Sequence, residues 1–440
     1  MITKSQETTE PRLLRPFLIP GSSAGSLPAL DGIRAVAVIL VIIYHSFVLS
    51  GSPVVFLNIP LSSGKINLTP FLSTGFVSVD LFFVLSGFLL SQYWLRADFL
   101  GKPRPSTRMY ARRRFFRIVP AYYCCLFLML TLLCPFIIDP EFVYSRIGLA
   151  MLGAHVLFVQ HLFPITSGSY NVNGALWTLT IEAIFYVVLP WMVILFYRNR
   201  WMITLPCFAA LTLTWLYLCK NSFGPFVHYL QSTVARYGVD EPTIREYLSR
   251  QFPAQLVDFG LGITLANLYT RYQTRPRPAI LPARWMGSML FIVGVVAVIF
   301  CMRKISENDS LFRYYLRQIS VSFGFTLMIA GTLTGGDWIK GVLSVVPLRL
   351  IGLIGYSAYL WHMPLIYVFN RFPAIAEAAP FDRFFQVLWH TAVALFLMSV
   401  FFYLTIEKPF LAFGRKRSAS VIPKAVTPVN PSLSPAGGDD

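Results

Sequence analysis

Eleven runs of apolar residues, at about 29–50, 76–95, 117–138, 147–163, 175–197, 201–219, 253–270, 285–302, 318–334, 345–369 and 385–406, dominate the chain. A helix needs about 20 apolar residues to cross a bilayer, and most of these runs reach that length. Hydrophobic residues make up 55% of the 440 and charged residues 13%, where soluble proteins carry roughly 25% charged. That is too little polar surface to cover a water-facing body. The pattern predicts an all-α, polytopic transmembrane helical bundle. The formal net charge is +17. The basic residues stand at the ends of the runs, where anionic headgroups and the positive-inside rule account for them better than nucleic acid does. None of the cysteines (124, 125, 134, 207, 219, 301) forms a CxxC, so neither a disulfide framework nor a metal site is expected.

Loop charge sets the expected topology. The stretch 96–117 holds Arg96, Lys102, Arg104, Arg108, Arg112, Arg113, Arg114 and Arg117. The stretch 271–284 and the tail after 407 are also basic, whereas 51–75 has only Lys65. Ten crossings with both termini cytoplasmic satisfy these loops. The run 147–163, short and ending at Pro164, is then re-entrant or surface-lying on the outer side. Residues 303–317 fit poorly, being basic on the outer side. Residues 220–250 should form a partly helical external loop. Residues 1–28 and 411–440 are expected as disordered cytoplasmic tails around a 29–410 membrane domain. No signal peptide and no inverted repeat of the transporter kind is seen.

Ionisable residues inside a bilayer are expensive, so each is a functional candidate. On RAVAVILVIIYH, Arg34 and His45 share a helix face about 16 Å apart. Arg34 suits an anion and His45 a general base. Otherwise they are a snorkelling arginine and a hydrogen-bonded core histidine. Asp80, in GFVSVDLFFVLSGFLLS, falls at the level of His45 and would orient it, or else cap its helix or pair with an arginine. Arg114 and Arg117 share a helical face in RRRFFR with Arg113 nearby. Guanidinium groups there suit phosphate, although composition alone favours a headgroup anchor. In ALWTLTIEAIFYVVLP, Trp177 is a candidate substrate contact, and Glu182 after it would orient a hydroxyl, pair with an arginine, or sit protonated in a packing network. In GYSAYLWHMP, His362 and Tyr359 are expected to line the site, His362 being also a rival base. His155, His161, His228 and His390 read as structural or exposed. No P-loop, GxGxxG, HExxH or GxSxG is present.

Together these segments resemble the acyltransferase-3 family of integral membrane acyltransferases. The resemblance rests on LPALDGIRAVAVILVIIYH, GFVSVDLFFVLSGFLLS, RRRFFRIVPAYY, FPAQLVDFGLGI, ALWTLTIEAIFYVVLP, YSAYLWHMPL and EKP at 407–409, and it runs from about residue 27 to 410. It implies about ten spanning helices in a bacterial inner membrane. It also implies transfer of an acyl group, usually acetyl from acetyl-CoA, to a carbohydrate or other hydroxyl-bearing acceptor such as a macrolide. The family's essential arginine and histidine map onto Arg34 and His45, and its paired arginines onto Arg114 and Arg117. No permanently bound cofactor is implied, and acyl-CoA is a donor substrate. Some members add a periplasmic hydrolase-like domain, which this chain would lack.

The expected mechanism places acyl-CoA phosphates on Arg114, Arg117 and Arg34, and the thioester near His45. His45, oriented by Asp80, would deprotonate the acceptor hydroxyl or carry the acyl group itself. Two other classes compete. In a transporter of a glycan or lipid, the buried His, Asp and Arg would form a proton relay. A scaffold without chemistry leaves Asp80 and His45 unexplained.

Overall fold

A computed structural model of the chain describes residues 11–19, 27–58, 64–137, 140–167, 173–234, 240–274, 284–307 and 311–419. The main helices, in chain order, are α1 (Pro28–Leu49), α2 (Ser78–Phe99), α3 (Thr107–Leu128), α4 (Arg146–Val156), α5 (Trp177–Phe196), α6 (Trp201–Tyr217), α7 (Glu241–Ser249), α8 (Leu256–Thr274), α9 (Arg284–Ser306), α10 (Arg317–Thr334), α11 (Val346–Leu353), α12 (Gly355–Asn370), α13 (Pro380–Phe402) and α14 (Lys408–Ala419). The described strands are β1 (Phe56–Asn58) and β2 (Lys65–Asn67), an antiparallel pair with Leu57 opposite Ile66. This is the all-α bundle that the apolar runs predict.

Among the described residues, eight helices are long and apolar enough to cross a membrane, and α11 with α12, bent by 75°, makes up to nine. The expected run at 253–270 is α8, which carries Asp258 and is buried along most of its length. The expected non-crossing run contains α4, an 11-residue helix. At 1.5 Å per residue it reaches only about 16 Å, short of a hydrocarbon core of about 30 Å. The polar 220–250 segment includes α7 and a helix at Gly224–Val234.

α2 sits at the centre, with 72% of its apolar window buried against other helices. Its closest neighbour is α8. A Cβ on Gly262 would stand 2.2 Å from the Val84 carbonyl, and one on Gly87 would stand 2.5 Å from that of Phe259. Only glycine lets these backbones approach so far. Gly75 likewise lies against the Leu40 carbonyl and Tyr44 of α1.

Parts of the two expected tails are helical where they are described. Arg12–Phe17 forms a 3₁₀ turn whose Leu14 and Phe17 are buried. Tyr403 donates to the Phe17 carbonyl, fixing that turn. α14 packs on α3, where Phe116 meets Phe410 and Phe413. Aromatic contacts, buried at Phe17 and Tyr403 and partly exposed at Phe410 and Phe413, thus hold these segments against the bundle. Residues 1–10, 20–26 and 420–440 lie outside the described residues.

Candidate functional site

Arg34, Arg114 and Arg117 meet at a cavity of about 280 Å³ enclosed by α1, α2, α3, α5, α11 and α12. Its apolar walls include Val38, Phe82, Leu89 and Leu179. Its polar lining is Arg34, Ser86, Arg114, Arg117, Thr178, Glu182, Tyr186, Tyr356 and Tyr359. Helical phase brings them there: on α2, Phe82, Ser86 and Leu89 follow an i, i+4, i+7 stripe.

The arginines differ in their partners. Arg34 is paired with Asp31, one turn earlier on α1. Among the described residues, Arg114 and Arg117 form no ion pair, and the buried Nε of Arg114 has no hydrogen bond. Glu182 does not neutralise them by contact. It accepts from the Tyr186 hydroxyl and from Ser86 Oγ at 3.3 Å, while the Arg114 guanidinium lies 6.0 Å over the Tyr186 ring. The cavity therefore holds cationic groups with unused donors. Arg113, expected beside them, turns away and lies 5.8 Å over the Tyr93 ring.

The cavity ends at Tyr359. Its hydroxyl bonds to Thr178 Oγ1 at 2.8 Å and donates to the Ala175 carbonyl at 2.9 Å. Phe82 packs edge-on to its ring at 6.1 Å. Beyond this bar lies a pair of imidazoles. His362 Nδ1 is 2.6 Å from the Tyr359 carbonyl, His362 Nε2 is 3.2 Å from His45 Nδ1, and His45 Nδ1 is 3.0 Å from the Val41 carbonyl. A carbonyl only accepts, so in neutral His362 the proton is on Nδ1 and Nε2 has the lone pair. His45 then donates from Nδ1, and its Nε2 is an available base. His362 is fully buried, whereas His45 is only half-buried.

The expected Asp80–His45 bond is absent among the described residues. Asp80 Oδ1 instead accepts from Gln318 Nε2 at 3.1 Å, and Oδ2 stands 3.6 Å from Arg317 Nη1. Gln318 Nε2 also lies 2.5 Å from Asp258 Oδ2 and 2.9 Å from Gln255 Oε1, and Ser322 donates to Asp258 at 2.6 Å. The cause is azimuth. At 100° per residue, Asp80 points about 160° away from Phe82 and its cavity stripe, towards α8 and α10. Arg317 is spent on Asp80, and Arg303 and Lys304 both pair with Glu307.

Trp177 lies outside the cavity lining, beside His161 at a ring distance of 5.2 Å. His161 is buried, not exposed. Sequence reasoning passed it over because nothing in its local pattern separates it from a packing residue.

A family model described as an acyltransferase domain matches residues 27–408. The chain belongs to the acyltransferase-3 family. Among curated proteins it is similar to the O-acetyltransferase OatA of Staphylococcus aureus, 27% identical over 406 residues that cover 89% of this chain and 58% of that protein. It is also similar to the peptidoglycan O-acetyltransferase OatA of Listeria monocytogenes, 25% identical over 407 residues, covering 88% and 56%. The chain thus spans a little over half the length of these relatives. No solved structure matches it.

Proposed function

We propose that this membrane protein transfers an acetyl group from acetyl-CoA, bound at the Arg34–Arg114–Arg117 end, to a hydroxyl of a glycan presented at the His45 end. The carrying observation is the cavity that leads from two arginines without ion pairs towards a pair of imidazoles whose bonding leaves one nitrogen free. The relatives' names supply the acetyl group and a glycan acceptor such as peptidoglycan. The basic loop before α3 supports a cytoplasmic arginine end in a bacterial inner membrane, on the side where coenzyme A is found.

In this reading the phosphates take the guanidinium donors, bidentately where geometry allows. The pantetheine arm follows the apolar walls. It passes Tyr359 once that side chain turns from Thr178. The arm is long enough to span the roughly 16 Å between Arg34 and His45. His45 Nε2 takes the acceptor's hydroxyl proton as its oxygen bonds to the thioester carbonyl carbon. The C–S bond then breaks, and the thiolate leaves as coenzyme A thiol with the proton from His45. His362 holds the productive tautomer and shares the imidazolium charge, the part first given to Asp80. Glu182, with Tyr186, tempers the arginine charge.

Purified protein in nanodiscs, supplied with labelled acetyl-CoA and an N-acetylglucosamine oligomer, should release coenzyme A and label the oligomer. His45→Gln should abolish both at matched protein levels. Undiminished transfer by that variant would refute the base assignment.

A further inference from the structure

The mechanism leaves unused a cluster just beyond His45, built from three segments. Trp177 opens α5. His161 follows α4. Tyr247 and Arg250 come from the end of α7. The His161 ring stands 5.2 Å from both Trp177 and Tyr247. The Arg250 guanidinium lies 5.5 Å over the Trp177 ring and is held by Glu246 one turn back. His161 Nδ1 bonds Ser167 Oγ at 2.7 Å. His161 Nε2 is buried, faces the Arg250 backbone and closes no hydrogen bond of normal geometry.

This cluster adjoins the imidazole pair. Thr178, next to Trp177, bonds Tyr359, whose carbonyl takes the proton of His362. The Arg250 charge acts on Tyr44, His45 and His161 alike. Tyr44 and His45 are only half-buried and, unlike Arg34, do not line the donor cavity.

We infer that Trp177, Tyr247 and Arg250 form the acceptor subsite and hold a pyranose ring of the glycan. Half-buried aromatic faces with a few convergent polar groups are the usual makeup of a small-ligand site. A pyranose offers an apolar C–H face to Trp177 and hydroxyls to Arg250 and Glu246. Arg250 occupies the indole face in this structure, but both contacts that keep it there are weak ones. Its side chain is 41% exposed and that of Glu246 59%, where cation–π contacts and ion pairs hold least. A sugar ring displaces it without leaving a buried charge behind, and the freed guanidinium becomes a donor to the sugar. His161 braces Trp177 from behind.

The inference rests on the acyl-transfer reading but is tested apart from it. The probe is the N-acetylglucosamine tetramer. Its binding to wild type, Arg250→Ala and Tyr247→Leu in nanodiscs is read by saturation-transfer NMR without donor. KM for the tetramer is then measured with labelled acetyl-CoA. Arg303→Gln, which removes an exposed charge paired with Glu307, is the control for bulk electrostatics. The subsite predicts a KM rise of roughly tenfold or more in Arg250→Ala, as expected for a lost charged hydrogen bond, with a smaller change in kcat. It predicts a weakened NMR signal in both variants and a wild-type KM in Arg303→Gln. Tetramer that binds wild type, Arg250→Ala and Tyr247→Leu equally would overturn the subsite, as would a wild type that does not bind it. If the tetramer binds as predicted but no label moves, the acyl-transfer reading fails and the subsite stands.

Discussion

Replacing Arg114 by alanine separates a phosphate site from a structural anchor. Arg114 is the informative choice because it carries no ion pair, so its loss orphans no acid. Glu182 keeps Tyr186 and Ser86. Arg34→Ala would instead leave Asp31 half-buried without its partner, mixing misfolding with lost binding. A hydrogen bond to a charged group contributes about 1.5–3 kcal/mol, and about 1.4 kcal/mol is a factor of ten. KM for acetyl-CoA should therefore rise roughly tenfold to a hundredfold in Arg114→Ala. Because the phosphates are remote from the reacting carbonyl, their binding is nearly uniform between ground and transition states, and kcat should change far less. The assay compares two donors, acetyl-CoA and S-acetylpantetheine, which lacks phosphate. The variant should lose affinity for the first and match wild type on the second. An equal loss on both donors would show that Arg114 does not meet phosphate. A lowered melting temperature with an unchanged KM per folded molecule would return it to the role of an anchor.

Other substitutions test the rest of the site. His45→Ala should lower kcat by about 10²–10⁴, the usual contribution of a general base, as measured by initial rates at saturating donor. His362→Phe, which keeps a ring but removes one of the two acceptors of His45 Nδ1 and leaves the Val41 carbonyl, should lower kcat with little change in either KM. An unaffected kcat would dismiss the orienting role. Asp80→Asn should lower the melting temperature through the Gln318–Asp258 clamp while the rate per folded molecule stays close to wild type. A loss of about 10⁴-fold in kcat, as when a triad acid is neutralised, would restore Asp80 to the site. Gly262→Leu should destabilise the fold by about 1–3 kcal/mol or more, since its Cβ starts 2.2 Å from the Val84 carbonyl. Thermal unfolding in detergent reads that outcome.

Much of this was legible before any coordinates. Run length and loop charge predict the helical bundle, and α4, the short run with polar residues, is too short to cross. Arg34, Arg114 and Arg117 were brought to one site only through the family resemblance, and Glu182 was legible as an intramembrane acid but not as a neighbour of theirs. What depth does not supply is azimuth between helices. Asp80 and His45 share a level, yet α2 turns Asp80 away towards Gln318, a contact 238 residues distant in sequence. The partner that His45 does have is 317 residues away, and nothing local to YSAYLWHMP distinguishes an orienting histidine from a lining one. His161 and Arg250 were missed for the same reason: each gains meaning only through Trp177, which neither neighbours in the chain.

The energetics of the arginines bear on the two readings that composition left open. A headgroup anchor would extend its guanidinium to the interface, where water and phosphate complete its hydrogen bonds. Arg114 instead lines an internal cavity with its Nε buried and unpartnered. Such a group costs stability unless something supplies the missing acceptors. Glu182 bonds Tyr186 instead, which leaves Arg114 without a bonded carboxylate among the described residues. A bundle selected for stability alone would have closed that pair. The proposed donor site requires the open arrangement, since it must admit an anion and release it again.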